Sequence, residues 1–407
     1  MSRIDELIAK FSPQGVEFKT LGDMGEFIRG NGLQKSDLTD HGTPAIHYGQ
    51  VHTHYGIWAT ATKSFTNPAL AEKLRRAKPG DLIVVTTSED DAAVAKATAW
   101  IGDGEVAVSG DAYIYRHSLE PRYVAYFFQS EQFQGQKTRY ISGTKVRRIS
   151  GASLAKVRIP VPPIKVQREI VRILDNFTEL EAELEAELEA RRRQYAYFRD
   201  LLLNFPGESG VVWCTLGEVA TRVSSGATPL AGSPGYYADG TIPWLRTQEV
   251  RFVDIWDTEI RITEKALKET AVKWIPANCV IVAISGATAG RSAVNRIPLA
   301  TNQHCCNFEI DPAKANYRYV FHWVRSQYEQ IKALGQGARS DLNASIIKSV
   351  RIPVPPIAEQ ERIASILDKF DALVSDLSEG LPAELVARRK QYEYYRDKLV
   401  RFEELVA

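Results

Sequence analysis

The chain has little of what metal, redox or membrane chemistry needs. Its four cysteines, Cys214, Cys279, Cys305 and Cys306, form no Cys-x-x-Cys pair, and three of them lie in apolar runs. Buried, reduced thiols are expected, not a disulfide or metal framework. No window approaches the roughly eighteen consecutive apolar residues of a membrane span. Met1-Ser2-Arg3-Ile4-Asp5-Glu6 lacks the apolar core of a signal peptide. A cytoplasmic protein is expected. Charge of one sign is not in excess either, with 51 Lys and Arg against 50 Asp and Glu. The balance hides an uneven distribution. Lys137, Arg139, Lys145, Arg147, Arg148, Lys156 and Arg158 form a basic stretch just ahead of an acidic run at 179–189.

Catalytic signatures are also missing. Amino-methyltransferases carry Asn or Asp before Pro-Pro-aromatic, because a polar side chain must grip the amine. Val161-Pro162-Pro163-Ile164 offers neither the polar group nor the ring. Gly286-Ala287-Thr288-Ala289-Gly290-Arg291-Ser292 is one residue short of a phosphate loop and has Arg where Lys is needed. Four of seven histidines, His41, His47, His52 and His54, fall in one stretch. On a strand, His52 and His54 would share a face and could hold a metal, but no cysteine or clustered carboxylate completes a site. His304 beside Cys305-Cys306 reads as packed strand. No metal, cofactor or catalytic residue is expected on this chain.

What is present is repetition. Val157-Arg158-Ile159-Pro160-Val161-Pro162-Pro163-Ile164 recurs unchanged from Val350 to Ile357. The match continues through Gln167 and Gln360, Ile173-Leu174-Asp175 and Ile366-Leu367-Asp368, and Phe177 and Phe370. Arg191-Arg192-Arg193-Gln194-Tyr195 then matches Arg388-Arg389-Lys390-Gln391-Tyr392, with four residues gained between the anchors. Thr20-Leu21-Gly22-Asp23 is echoed by Thr215-Leu216-Gly217-Glu218. The layout is cyclic: domain, helix, domain, helix.

After each Pro-Pro the apolar spacing is that of a coiled-coil seam. The first copy runs through Ile170, Leu174, Phe177, Leu184, Leu188, Tyr195, Phe198, Leu202 and Phe205, with Glu181 and Arg191 as polar breaks. The second runs from Ile363 to Phe402 with a stutter at 377–381–385, where Gly380 and Pro382 predict a break. At 407 residues the chain suits two or three domains. The expected class is α+β, with two mixed α/β domains, 1–157 and 206–350, joined by two long antiparallel coiled-coil helices, 158–205 and 351–407. Each helix of about 40 residues would span roughly 60 Å. Predicted strands are 82–86, 112–115, 280–284 and 305–310; predicted helices are 121–133 and 317–334.

The IPVPPI-xxQ segment, the long helix ending in a QY-x-Y-aromatic-RD run, and the Thr-Leu-Gly motif resemble type I restriction–modification specificity subunits over essentially the whole chain. The resemblance implies two target recognition domains, each reading half of a bipartite DNA sequence across an unread spacer. It implies double-stranded DNA, two methyltransferase (modification) subunits and restriction (motor nuclease) subunits as partners, and no membrane. S-adenosylmethionine, ATP and Mg would act only on those partners, and this subunit would do no chemistry.

Candidate DNA-contacting residues are Tyr48, Gln50, His52, His54, Lys63 and Lys145 in the first domain and Arg246, Gln248, Arg291 and Arg339 in the second. Pro44-x-x-His47 with Gln50-Val51 loosely echoes Pro243-x-x-Arg246 with Glu249-Val250. Tyr195, Tyr197, Tyr392 and Tyr394 place aromatics on more than one side of the helices, as a surface for partner subunits. Three tandem Glu-Leu-Glu-Ala copies begin at Glu179, Glu183 and Glu187. Glu179, Leu180, Leu184 and Leu188 mark this spacer helix, and the number of copies is expected to set the spacer. The rival readings are a stand-alone DNA methyltransferase and a coiled-coil scaffold joining two protein-binding domains.

Overall fold

The computed structural model describes residue 6 and residues 15–405, except 208–209, 336–340 and 376–379. The chain divides into two compact units, 1–185 with 384–407, and 186–383. Both are built to one plan. In the first, a five-stranded sheet runs in the order Gly25–Arg29, Ala112–His117, Leu82–Val85, Ala97–Trp100, Trp58–Ala59. In the second the order is Ala220–Ser225, Cys305–Ile310, Val280–Ala283, Ser292–Asn295, Asp254–Ile255. In each the last strand is parallel to its neighbour and the other pairings are antiparallel. A second sheet in each unit centres on a parallel pair, Thr43–Ile46 with Val106–Val108 and Ile242–Leu245 with Leu299–Thr301. The four predicted strands are there. Each predicted long helix is divided, at Ser130 and at Gln327, into Pro121–Gln129 and Glu131–Lys137, and Tyr317–Ser326 and Tyr328–Ala333. Ser130 divides the first by capping the new helix with its Oγ, which accepts from Phe133 N at 3.3 Å.

The duplicated residues tie each sheet to its helix. Thr20 and Asp23 form a capping box (3.1 Å each way), and so do Thr215 and Glu218 (2.6 and 3.2 Å). Leu21 N donates to Val157 O as Leu216 N does to Val350 O (2.8 and 2.9 Å). Gln167 is buried, its Nε2 donating to Pro162 O (2.7 Å) and its Oε1 accepting from Glu120 N (2.9 Å). Gln360 repeats this with Pro355 O (2.7 Å) and Asn316 N (2.8 Å). Buried amides bonded through both oxygen and nitrogen fix a single geometry. Asp175 accepts from Arg122 (2.5 Å) and from the Tyr126 hydroxyl (2.7 Å), and Asp368 from Arg318 and His322 (2.6 Å).

The central helix, Ile164–Leu202, is continuous through the tandem tetrapeptides. The second copy is two helices, Ile357–Ser375 and Gly380–Leu399. Gly380 has φ +81°, and a Cβ there would lie 2.9 Å from the carbonyls of Ala372 and Leu373, so only glycine fits comfortably. Leu377 lies outside the described residues. Within the first unit Phe177 stacks on Tyr395, and Arg389 pairs with Glu181 (2.6 Å) and Glu185. The partner number falls as the residue number rises, so these segments are antiparallel. Within the second unit Phe198 stacks on Phe370. The polar break at Glu181 is thus an ion pair across the seam. Within the first unit Val16 bridges to Glu404.

Candidate nucleic-acid interface

In each unit one end of the main sheet gathers loops from distant parts of the chain. In the first unit, the tip Ser109–Asp111 accepts from Tyr48 N at Ser109 Oγ (2.8 Å) and from Thr86 N at Asp111 O (3.0 Å). His52 Nε2 bonds Thr87 O at 3.0 Å, and Thr87–Ser88 pairs with Arg147–Arg148. The hairpin below Arg147 turns at Gly143, where a Cβ would fall 2.1 Å from Val146 O, and it holds Lys145 exposed at its tip. An open pocket of about 510 Å³ lies at this end, walled by Arg29, Lys35, His47, Tyr48 and Asp111 among others. Burial holds the His47 imidazole below its ordinary pKa, which keeps it neutral at pH 7.

The second unit repeats the arrangement. Thr288 Oγ1 donates to Thr247 O (2.9 Å), joining the Gly286–Thr288 turn to the Thr247–Glu249 turn. Ile284 N donates to His304 O, and Leu342 N to Ile284 O (2.9 Å each). Ile149 N to Thr86 O (3.1 Å) is the first unit's counterpart of that last bond. Gly30 and Gly226 are equivalent crossings: a Cβ on either would strike a backbone carbonyl at 2.2 or 1.7 Å.

The loose echo between the domains is a structural equivalence. His47 N donates to Gln50 Oε1 (3.0 Å) and Arg246 N to Glu249 Oε1 (3.1 Å), each following the parallel strand, with Val51 and Val250 buried below. Gln50 also donates to Ser64 Oγ (2.8 Å), and Lys63 N donates to the Tyr55 hydroxyl (2.8 Å). The Gln50 amide is therefore committed inside the protein, while the Lys63 side chain is exposed. Arg246 pairs with Glu259 (2.6 Å) and, with the Gln248 amide oriented to satisfy both groups, donates to Gln248 Oε1 from Nη1 (3.2 Å) and Nη2 (2.7 Å). Arg291 differs. Its guanidinium makes no hydrogen bond or ion pair with any described residue, and its Nε is sealed from solvent. Arg339 lies outside the described residues.

Several expectations are corrected. His52 and His54 do not share a strand face. His47 Nδ1 accepts from Gly49 N (3.2 Å) and starts the helix Tyr48–Thr53, so His52 points to Thr87 and His54 packs edge-on against Tyr55 at the helix end. Among the described residues no group of three or more His, Cys, Asp or Glu is placed to hold a metal. The Gly286–Arg291 turn joins two antiparallel strands through a single 3-10 turn, Gly286–Thr288, where a nucleotide loop would run into a long α-helix. His304 is exposed on a turn, bonded to Gln303 (3.1 Å), while Cys305 and Cys306 are buried and burial pushes the Cys306 thiol up to about 12. Tyr195 is buried and Tyr392 half-buried, so both pack inward. Tyr197 and Tyr394 are 65% and 61% exposed. In the tetrapeptides Leu188 is buried, Leu184 half-buried and Leu180 46% exposed, with Glu179 on the solvent side.

The sequence reading missed Thr228, whose Oγ1 bonds Gln303 Oε1 at 2.5 Å, and Gln303 itself, both at the gathered end. It also missed the repeated Arg122-Tyr123-Val124 and Arg318-Tyr319-Val320, a legible signal for the groups that meet Asp175 and Asp368.

The family model described as Type I restriction modification DNA specificity domain matches the chain twice, over 13–190 and 208–387. The EcoR124I/EcoR124II type I restriction enzyme specificity subunit of Escherichia coli is 38% identical over 265 residues, 62% of this chain and 65% of that protein's length. The type I restriction–modification S subunit of M. genitalium superposes with a TM-score of 0.58 at 14% identity, covering 95% and 96% of the two chains. A chain from work on complex assembly and conformational transition of the type I R-M system reaches 0.62 at 16%, covering 96% and 98%. No helix among the described residues is long and apolar enough to cross a membrane.

Proposed function

The chain belongs to the family of type I restriction modification DNA specificity domains, and from that premise we propose that it is a specificity subunit whose two units each read one half of a bipartite duplex target. The observation that carries this reading is the pair of equivalent loop clusters. The same end of the same sheet bears different chemistry in each unit: Tyr48, His52, Lys63, Lys145 and Arg148 in the first, Arg246, Gln248, Arg291 and Gln303 in the second. One scaffold with two surface chemistries is what two different half-sites require.

The chain itself does no chemistry. Methylation and cutting belong to partners, two modification subunits and the restriction motor subunits, and S-adenosylmethionine, ATP and Mg act there. The outward Tyr197 and Tyr394, at matching places in the duplicated helices, support docking of one modification subunit to each half. The Glu-Leu-Glu-Ala run, acidic on its exposed side, sets the spacer and avoids clinging to it.

Binding to random duplex by the full chain falls steeply with salt, then yields a two-part motif on selection. Arg291→Ala weakens binding by about 1–3 kcal/mol with loss of preference at one half, if it contacts a base, or lowers the salt slope by about 1 if it contacts phosphate. Fluorescence anisotropy across salt and sequence separates the two. Binding without salt dependence would mark a protein scaffold instead.

A further inference from the structure

Lys137 ends the helix Glu131–Lys137 and is 1% exposed. A buried ammonium is costly unless its hydrogen bonds are met. Its Nζ donates to Ala92 O at 2.8 Å and to Val94 O at 2.7 Å, and it lies 6.0 Å from the Phe133 ring centroid. Both carbonyls belong to the segment 86–96 between the strands Leu82–Val85 and Ala97–Trp100. That segment carries Thr87, the partner of His52, and Thr87–Ser88, the partner of Arg147–Arg148. It also carries Asp91, which pairs with Arg147 at 2.8 Å.

The residue after Val94, Ala95, has φ +63°. A left-handed non-glycine residue persists only where its surroundings over-determine it. Ala95 N to Val85 O (3.0 Å) and Lys96 N to Ala93 O (3.2 Å) hold the backbone around it, and Lys137 holds the Val94 carbonyl just before it. Among the described residues, no lysine bonds the carbonyls of the second unit's turn. That turn, 284–291, is three residues shorter (eight against eleven), and Gly290 N to Ala283 O (2.8 Å) closes it as Ala95 N to Val85 O closes the first.

We infer that Lys137 is a positioning residue for the first unit's DNA-reading edge: by clamping the carbonyls of Ala92 and Val94 it fixes the loop that aligns His52 and the Lys145 hairpin. This rests on the DNA-reading role of that end. Burial pushes the Lys137 ammonium down to about 8 against the opposing pull of Asp90 and Asp91, so it is still charged at pH 7. A side chain needed for packing alone could be replaced by methionine, which keeps the stem and loses the donors.

The test is Lys137→Met in the full chain with whatever proteins co-purify with it, read by selection from random duplex. The half-motif of the first unit is identified as the one that exchanging residues 1–157 for those of a relative replaces. Near-cognate duplexes with one changed base pair in that half bind within about threefold of the selected sequence, where the wild type separates them by about tenfold or more. Discrimination in the other half stays as it was. Adding Ala95→Gly, which removes the cost of the left-handed residue, restores part of the lost discrimination. Should the methionine variant fail to fold, Lys137→Gln, which keeps shorter donors, gives the same one-sided loss in weaker form. Discrimination lost equally in both halves, or in neither, overturns the inference while leaving the two-half reading intact. If selection with the unaltered chain yields no two-part motif, both are overturned together.

Discussion

Removing Glu183 to Ala186 shortens the unread spacer of the target by one or two base pairs and leaves both half-sites unchanged. The deletion takes four residues, roughly 6 Å, from a continuous helix and turns its far part by about 40° beyond one full turn. The helix tolerates it because the register is tandem: Leu184 and Leu188 stand at seam positions four residues apart, and Glu181 and Glu185 both reach Arg389. After the deletion Glu181 remains and Glu189 takes the place of Glu185. Methylation at the original spacing falls at least about a hundredfold, because two half-sites that cannot be held together forfeit much of the specific increment of about 4–10 kcal/mol. Mapping modified sites across a genome reads the new spacing directly. Unchanged spacing with full activity contradicts the ruler.

Asp368→Ala destabilises the second unit by about 2–3 kcal/mol, a figure reduced because water reaches a third of the carboxylate and Arg318 keeps Asp254 as a partner at 2.5 Å. Asp368 joins the sheet-backing helix Tyr317–Ser326 to the duplicated helix, so its loss also loosens the mount of the reading loops. The pH dependence follows from two groups. Its hydrogen bonds with His322 and Arg318 outweigh burial and hold the Asp368 carboxyl at about 2. Its folded value lies below the ordinary one near 3.9, so its stabilisation is present above that value and is lost as pH falls toward 2. Burial lowers the His322 pKa, keeping the ring neutral in the fold. That contribution is present above the ordinary value near 6.5 and shrinks as pH falls below it. His322→Tyr, which installs the residue found at the equivalent Tyr126, removes the loss between pH 7 and 5. Urea melts of the wild type and variant at pH 7 and 5 check this. An equal acid loss in both would contradict the assignment.

The duplication was legible because identical residues do identical work. Gln167 and Gln360, Asp175 and Asp368, and the two Thr-Leu-Gly segments each bond partners at equivalent positions. The seam was legible from spacing, and the break at Gly380 from its breaker residues. The reading end was not. His52 meets Thr87, and Thr288 meets Thr247, across 35 and 41 residues, and no periodicity announces such pairs. The capping turn after Pro44 defeated a strand reading because His47 and Gln50 close it locally. Lys137 looked like part of a basic surface because composition reports charge and says nothing of depth.

The central claim is that two separately folded readers share one chain. It is tested by exchanging residues 1–157 for those of a relative that keeps an arginine and a hydroxyl or imidazole to meet Asp175, and a backbone donor to meet Gln167, so that the new domain seats on the retained helix. The modified sites of the hybrid are then mapped. The account predicts a target with one half replaced, the other half unaltered and the spacer unchanged. A change in both halves together would contradict it.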